Sequence, residues 1–243
     1  MVVKVVAFDM DGVLVEGQSS WVTVHFALGT DNEAGYRAYT AGLIDDHQFM
    51  RSDIALWLER GVDHIDDVRR ILDRVPLFPG AAQTVRTLRE WGFRTVIVSG
   101  GLDLLAGRIG RELGIDVVLA NGLETFEDGH LTGRGILRVP LLNKRAPLAV
   151  TVSRMGDDVR LVSIGDSAVD IAMFMISDLS IAFNPRDRVV SEGATRTVFS
   201  GDLTAVLEYI APDVPAGNTD GWILDDMTAT EIFRDHRGTP NDP

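Results

Sequence analysis

The sequence predicts an α/β protein: a doubly wound, Rossmann-like parallel sheet into which a small helical domain is inserted. Short β-branched, apolar runs alternate with longer amphipathic runs, which is the pattern of parallel α/β units. The apolar runs are nearly continuous, as in strands that are covered by helices on both faces. One long interval between two such runs has no strand pattern, and it predicts the insertion.

Six apolar runs are predicted as strands: 2–8, 94–98, 116–120, 160–164, 179–183 and 195–199. Between them, the spacing of apolar residues predicts five helices: 80–91, 102–113, 142–155, 168–176 and 203–210. Pro79 directly before Gly80 favours a helix start at that point. Asp128 and Gly129, flanked by two short extended pieces, predict a β-hairpin.

The interval 14–78 predicts a helical insert, because it is too long for a crossover and contains amphipathic pieces such as 46–60 and 65–75. The predicted organisation is a core of residues 1–13 and 79–211, the insert 14–78, and a tail 212–243 that is docked or partly flexible. The large aromatic residues of the insert are expected to form its own core: Trp21, Phe26, Phe49 and Trp57.

Composition restricts the functions that this chain can have. Its 243 residues carry a net charge of −13, which argues against nucleic acid as a partner because nucleic acids select basic surfaces. It has no cysteine, so disulfides and thiolate zinc sites are excluded, and the five scattered histidines are expected at ordinary surface or helix-cap positions. Without a leader pattern or an apolar run of membrane-spanning length, the sequence predicts a cytoplasmic protein that acts without a membrane.

Polar side chains follow three of the predicted strands, at the edge where ligands of doubly wound sheets bind. Taken singly, each could belong to an ordinary turn or helix cap. Their joint occurrence, together with a lysine near a predicted helix start, favours a functional site. Its residues are Asp9, Asp11, Ser99, Gly100, Lys144, Asp166 and Asp170. Carboxylates from two neighbouring strand ends suit a hard cation such as Mg²⁺, here Asp9 with Asp166. The sequence therefore predicts magnesium as the cofactor.

The same groups suit phosphoryl transfer through an aspartyl phosphate. A carboxylate can attack phosphorus and divide one difficult displacement into two easier ones. Asp11 shares a face of the extended chain with Asp9, so it can act first as general acid and then as general base. Donors and cations must surround the transferred group, and we expect the Ser99 hydroxyl, the Gly100 amide at a helix start and the Lys144 ammonium to do so.

Four stretches resemble the motifs of the haloacid dehalogenase superfamily: "FDMDGVL", "VIVSGG", Lys144 and "GDSAVD". The helical insert resembles the cap of the phosphoserine phosphatase branch. The resemblance implies Asp9 as nucleophile and Asp11 as acid and base. It also implies Mg²⁺ bound by Asp9, the Asp11 backbone carbonyl and Asp166, with Asp170 supporting that shell. The acid at position 11 points to cleavage of phosphate esters, because the dehalogenases and phosphonatases of the superfamily lack it.

The substrate is expected to be a small phosphorylated metabolite, with phosphoserine as the first candidate. Phosphoserine phosphatases have a glutamate for the substrate amino group where this chain has Gln18, with Glu16 two residues earlier; a glutamine cannot form that ion pair. Arg51 either binds the substrate carboxylate, as an arginine of that branch does, or lies on a solvated helix face. Val169 stands where the branch usually has asparagine.

Other functions stay open at this point. Gln18 and Val169 favour a phosphatase for another metabolite as much as one for phosphoserine. Such a metabolite could be a sugar, glycerol or glycolate phosphate. A phosphotransferase or a signalling domain phosphorylated on aspartate is a further alternative, although a signalling domain would have no large insert. We expect a monomer or a homodimer.

Overall fold

The computed structural model describes residues 2–211, and over this range the chain has the predicted α/β fold. Its seven strands form one sheet in the order β4-β3-β2-β1-β5-β6-β7. Neighbouring strands are parallel except for the antiparallel pair β3-β4. The strands are Val3–Phe8 (β1), Phe93–Leu102 (β2), Val117–Thr125 (β3), Leu131–Ile136 (β4), Val159–Gly165 (β5), Leu179–Phe183 (β6) and Arg196–Val198 (β7). The predicted tail 212–243 lies outside the described residues.

Ten α-helices accompany the sheet within residues 2–211. They are Ser20–Leu28 (α1), Glu33–Thr40 (α2), Asp46–Glu59 (α3), Ile65–Leu72 (α4), Ala81–Glu90 (α5), Asp103–Leu113 (α6), Arg145–Ser153 (α7), Ile171–Phe174 (α8), Arg188–Gly193 (α9) and Leu207–Ile210 (α10). Short 3-10 turns precede α8 and α10. In this part of the chain, no helix is both long and apolar enough to cross a membrane.

The central strand β1 is buried on both faces, which explains its uninterrupted apolar sequence. Successive side chains of a strand point to opposite faces. Val6 and Phe8 pack under α5 and α6, whereas Val5 and Ala7 pack under α7 and α8, and all four are fully buried. Burial of a side chain such as Phe8 contributes about 1.5–3 kcal/mol. Because both faces are covered, polar groups of this strand can reach a ligand only at its carboxyl end.

Residues 14–78 contain α1–α4 and add no strand to the seven-stranded sheet. The predicted hairpin at Asp128 and Gly129 forms between β3 and β4 and supports this insert. The backbone N–H of Ile65 donates to the Gly129 carbonyl at 3.0 Å, and that of Leu131 donates to the Asp63 carbonyl at 2.7 Å. Side chains of the insert, Trp57 among them, join the same hydrophobic cluster as β1.

Strand β2 continues further than its apolar run predicts. It extends to Leu102, so Gly100 is part of the extended chain and α6 begins only at Asp103. The expectation that the Gly100 amide stands at a helix start is therefore wrong. The physical reason is tertiary: after a shift in register, Leu102 pairs with Asn121 of β3, and its N–H donates to Ser20 Oγ at 2.8 Å.

The start of α5 depends on Gly80, whose φ is 79°, a conformation that residues with a Cβ avoid. A Cβ there would also overlap Asp202 Oδ1, which accepts the Thr204 N–H at 2.8 Å. We expect Gly80→Ala to lower the free energy of unfolding by about 2–4 kcal/mol, measured by chemical denaturation. Gly92→Ala is the matched control: its φ is 80° and its nearest neighbour is Lys4 at 3.9 Å, so it should cost only about 1 kcal/mol. An equal loss of unfolding free energy in Gly80→Ala and Gly92→Ala would contradict this explanation.

Candidate active site

Four predicted carboxylates meet at the carboxyl ends of the adjacent strands β1 and β5. Asp9 and Asp11 follow β1, and Asp166 and Asp170 follow β5. All four are buried, and one oxygen each of Asp9, Asp166 and Asp170 lies within 4.8 Å of the others. Buried carboxylates at such distances repel one another and need cations beside them.

Lys144 supplies one of these cations. Its Nζ donates to Asp9 Oδ1 and to Asp170 Oδ1, both at 2.7 Å, and only 2% of the side chain is exposed. The residue stands directly before α7, as the sequence predicts. Burial alone would lower the pKa of Lys144, but the charges of Asp170 and Asp9 outweigh it and raise the pKa. Lys144 is therefore charged and ties the loops after β1 and β5 together.

Asp170 has both of its oxygens engaged by the protein. Oδ1 accepts from Lys144. Oδ2 accepts three bonds at 3.0 Å, from the N–H groups of Asp166 and Ser167 and from the Ser167 hydroxyl. Asp170 is thus held in the turn after β5 and orients the backbone of Asp166. This arrangement fits a supporting position beside a metal ion.

Asp166 and Asp11 each have an oxygen without a partner. Arg186 Nε donates to Asp166 Oδ2 at 2.6 Å, but Asp166 Oδ1 and Asp11 Oδ1 are buried with no hydrogen-bond partner within residues 2–211. Buried, unpaired carboxylate oxygens are the ligands that a hard cation takes. The acidic groups around Asp9 therefore fit the predicted magnesium ion.

Arg186 is a site residue that the sequence reasoning missed. It lies three residues beyond the end of β6, in "FNPRDR", at the same edge of the sheet. Its side chain lines the cavity described below. A search of every strand end for basic as well as acidic residues would have found it.

Burial raises the pKa of Asp9, Asp11 and Asp166. It raises the pKa of Asp11 to about 7, although the Ser20 N–H and the Lys144 charge act in the opposite direction. It also raises the pKa of Asp9, with the Asp170 charge adding to the effect and Lys144 opposing it. Near neutral pH, Asp11 is thus divided between its acid and carboxylate forms.

Ser99 and Gly100 lie in the last part of β2, the strand next to β1. Ser99 is buried, and its Oγ accepts the Gly101 N–H at 2.9 Å. The Gly100 carbonyl accepts from Asn121 Nδ2 at 3.0 Å and from Trp21 Nε1 at 3.1 Å. The chain is therefore fixed at the place where the sequence predicts phosphate binding.

Three hydrogen bonds join the insert to the core at this place. They are Trp21 Nε1 to the Gly100 carbonyl at 3.1 Å, the Leu102 N–H to Ser20 Oγ at 2.8 Å, and the Leu141 N–H to Asp46 Oδ1 at 3.0 Å. Between insert and core lies a cavity of about 590 Å³. Its floor includes Asp9, Asp11, Ser99, Lys144 and Asp166, and its roof is made by α1–α3.

The two residues expected to contact substrate do not line this cavity. Gln18 and Arg51 are both exposed and lie outside its wall. Conversely, the expectation that the aromatic residues of the insert form its core is right for Trp57, which is fully buried, and wrong for Phe26, which is 87% exposed. Phe26 lines the cavity, together with Trp21 and Phe49.

A buried histidine and aspartate also face the cavity from the roof. His25 Nε2 and Asp53 Oδ1 are 2.9 Å apart, and Asn32 Nδ2 donates to the same oxygen at 2.7 Å. The sequence predicts a surface or cap position for His25, and its burial contradicts that. No sequence pattern relates His25 to Asp53, because they belong to different helices, α1 and α3.

Known proteins resemble this chain in sequence and in fold. The sequence profile of the haloacid dehalogenase-like hydrolases matches residues 6–175. The chain is 33% identical to a phosphoserine phosphatase of Polaromonas sp., an alignment covering 85% of this chain and 89% of that protein. It is 31% identical to a phosphoserine phosphatase of Archaeoglobus fulgidus, covering 86% of this chain and 61% of that protein.

Solved structures agree with this relationship. A phospho-aspartyl intermediate analogue of a phosphoserine phosphatase superposes with a TM-score of 0.70 at 26% identity, covering 86% of this chain and 99% of the other. The chain therefore belongs to the haloacid dehalogenase-like hydrolase family. Within that family it is a phosphatase.

The buried Asp11 carboxylate, which has one unpaired oxygen, should reduce the stability of the metal-free protein. A raised pKa means that the folded state binds more protons than the unfolded state between pH 4 and 7, so stability falls as pH rises through this window. In EDTA we expect Asp11→Asn to raise the free energy of unfolding at pH 8 by about 2–4 kcal/mol, and by less than half of that at pH 5.

The measurement is urea unfolding at both pH values. Glu90→Gln, an exposed carboxylate at the end of α5, serves as the control for the loss of one charge. A gain for Asp11→Asn that is equal at pH 5 and pH 8 would count against this explanation.

Proposed function

We propose that this phosphatase hydrolyses a small phosphate monoester with Mg²⁺ and that the phosphoryl group is carried on Asp9 during the reaction. The observation that carries this proposal is the position of Asp9 at the cavity floor. Its Oδ1 accepts from Lys144 Nζ and from the Met10 N–H, both at 2.7 Å. These two bonds fix the carboxylate, so Oδ2 can serve as the nucleophile.

In the first step, Asp9 Oδ2 forms a bond to phosphorus while the bond from phosphorus to the alcohol oxygen breaks. Asp11 in its acid form gives its proton to the departing oxygen. Its pKa of about 7 makes that form available near neutral pH. In the second step, the Asp11 carboxylate accepts a proton from water as the water oxygen bonds to phosphorus and the bond from phosphorus to Asp9 Oδ2 breaks. Inorganic phosphate leaves, and Asp9 is restored.

The phosphate oxygens would be held by Lys144, the Ser99 hydroxyl and the Gly100 amide. Asp9, the Asp11 backbone carbonyl and Asp166 would hold the magnesium ion, whose charge offsets that of the phosphate when it is bound. The family resemblance and the unpaired Asp166 Oδ1 support this set. The phospho-aspartyl intermediate analogue of the related phosphoserine phosphatase supports the same type of intermediate.

We further propose that residues 14–78 act as a cap on a core of residues 1–13 and 79–211. The cavity between them supports this division, because a cap can exclude water and select the leaving group. A cytoplasmic location and a monomeric or homodimeric state stay predictions from the sequence.

Phosphoserine is the first substrate to test, because the curated relatives are named phosphoserine phosphatases. A sugar, glycerol or glycolate phosphate is the second candidate, since Gln18 and Arg51 lie outside the cavity wall. A phosphotransferase would pass the group to an acceptor alcohol instead of water. Release of inorganic phosphate separates these reactions.

The first test is phosphate release from a set of small monoesters with MgCl₂. We expect Asp9→Asn to lower kcat by at least about 10³-fold, because the amide cannot form the covalent bond. Asp157→Asn, an exposed residue of the loop before β5, should retain full activity. Turnover by Asp9→Asn near the unmodified rate would refute the covalent step.

Magnesium binding has a readout that does not involve turnover. At a concentration of 100 times its Kd, a ligand adds about 2.7 kcal/mol, which corresponds to a rise in Tm of roughly 5–10 °C for a domain of this size. We expect MgCl₂ to raise the Tm of the unmodified protein and of Asp157→Asn. Asp166→Asn should lose most of the shift, and an undiminished shift would exclude Asp166 as a ligand.

A further inference from the structure

The roof of the cavity is aromatic. Trp21, Phe26, Tyr36 and Phe49 all line it. Two of these rings are held by a second ring: Trp21 stacks on Trp57 with centroids 5.3 Å apart, and Phe49 stacks on Tyr39 at 5.2 Å. Trp21 and Phe49 are therefore fixed parts of an aromatic wall opposite the floor carboxylates, and Phe26 and Tyr36 complete it from more exposed positions.

The charged groups of the roof are acidic. Asp31, Glu33, Asp46 and Asp53 line the cavity, whereas no lysine or arginine of residues 14–78 does so. Two cations of the described chain line it, Lys144 and Arg186, and both belong to the floor. There they are already paired with Asp9, Asp170 and Asp166. Within the described residues, a carboxylate on the leaving group would therefore find no lysine or arginine in the roof, where the one histidine, His25, is already bonded to Asp53.

Two roof carboxylates are fixed in place by the protein. Asp53 Oδ1 is bound by His25 Nε2 and Asn32 Nδ2. Asp46 Oδ1 accepts from the Tyr39 hydroxyl at 2.9 Å and from the Leu141 N–H at 3.0 Å. The negative charge of the roof is thus part of its construction, and desolvating a second anion beside it would be unfavourable.

We propose that the substrate is the phosphate ester of an amino alcohol whose ammonium group carries alkyl substituents and which has no carboxylate. Aromatic faces attract cations, and they do so most effectively for alkylated ammonium groups whose surface is apolar. The fixed carboxylates add a second, longer-range attraction for the same charge. This inference rests on the proposed phosphatase reaction and specifies its leaving group.

Four phosphate esters separate the features of that leaving group. Phosphoserine and phosphoethanolamine differ by one carboxylate. Phosphoethanolamine and phosphocholine differ by three methyl groups. Phosphocholine and 3,3-dimethylbutyl phosphate have the same shape and differ in charge.

The experiment measures kcat/KM for the full chain with MgCl₂ on all four esters. We expect kcat/KM for phosphocholine to exceed that for phosphoserine and that for 3,3-dimethylbutyl phosphate by at least about 10-fold. The value for phosphoethanolamine should lie between those for phosphocholine and phosphoserine. Phosphoserine at or above phosphoethanolamine would overturn the inference, and so would equal rates for phosphocholine and its neutral analogue. If no ester in this set or among the other monoesters is hydrolysed, the proposed function itself fails.

Two variants test the roof directly. Phe26→Leu keeps an apolar side chain but removes the aromatic face, and Phe26 is exposed enough that the fold should not change. Asp53→Asn keeps the size of the side chain and removes its charge. Each should lower the ratio of kcat/KM for phosphocholine to that for 3,3-dimethylbutyl phosphate by at least about 3-fold.

Phe199→Leu is the matched control for Phe26→Leu, because Phe199 is 65% exposed and lies outside the cavity wall. It should leave the ratio unchanged. An unchanged ratio in Phe26→Leu and in a folded Asp53→Asn would overturn the inference. Should Asp53→Asn fail to fold, Phe26→Leu alone decides it.

Discussion

One buried ammonium group holds this site together. Asp9 and Asp170 would repel each other at the distances seen, and the Lys144 ammonium lies between them with a 2.7 Å bond to each. Removal of one partner from a buried charge cluster of this kind generally costs about 3–5 kcal/mol. Lys144 therefore fixes the relative positions of three chain segments. These are the segments after β1, after β5 and before α7.

The floor of the cavity is the part of the molecule that the sequence predicts well. In a parallel sheet, residues that directly follow strands converge at one edge whatever the loops do. Asp9, Asp11 and Asp166 each lie within three residues of a strand end, so their meeting requires only the correct strand order. The error at Gly100 arose because the length of β2 depends on its pairing with β3, which no local pattern records.

The cavity roof is the part that the sequence does not predict. Trp21 lies in α1 and Trp57 in α3, and nothing local distinguishes the ring that becomes fully buried from the one that lines the cavity. The same holds for His25 and Asp53, whose contact depends on how α1 and α3 cross. Periodicity predicts α3 and α4 of this region, but the way the helices pack against one another follows from tertiary structure.

The hydrogen bond from Trp21 to the Gly100 carbonyl has a kinetic consequence. In the proposed reaction an ester enters and an alcohol leaves the cavity between residues 14–78 and the core, and three hydrogen bonds cross that boundary. Because Trp21 is bonded to Gly100, which is proposed to hold the phosphate, closure of residues 14–78 as a cap would also align that segment. A leaving group too large for closure would therefore slow turnover itself, even where it binds tightly.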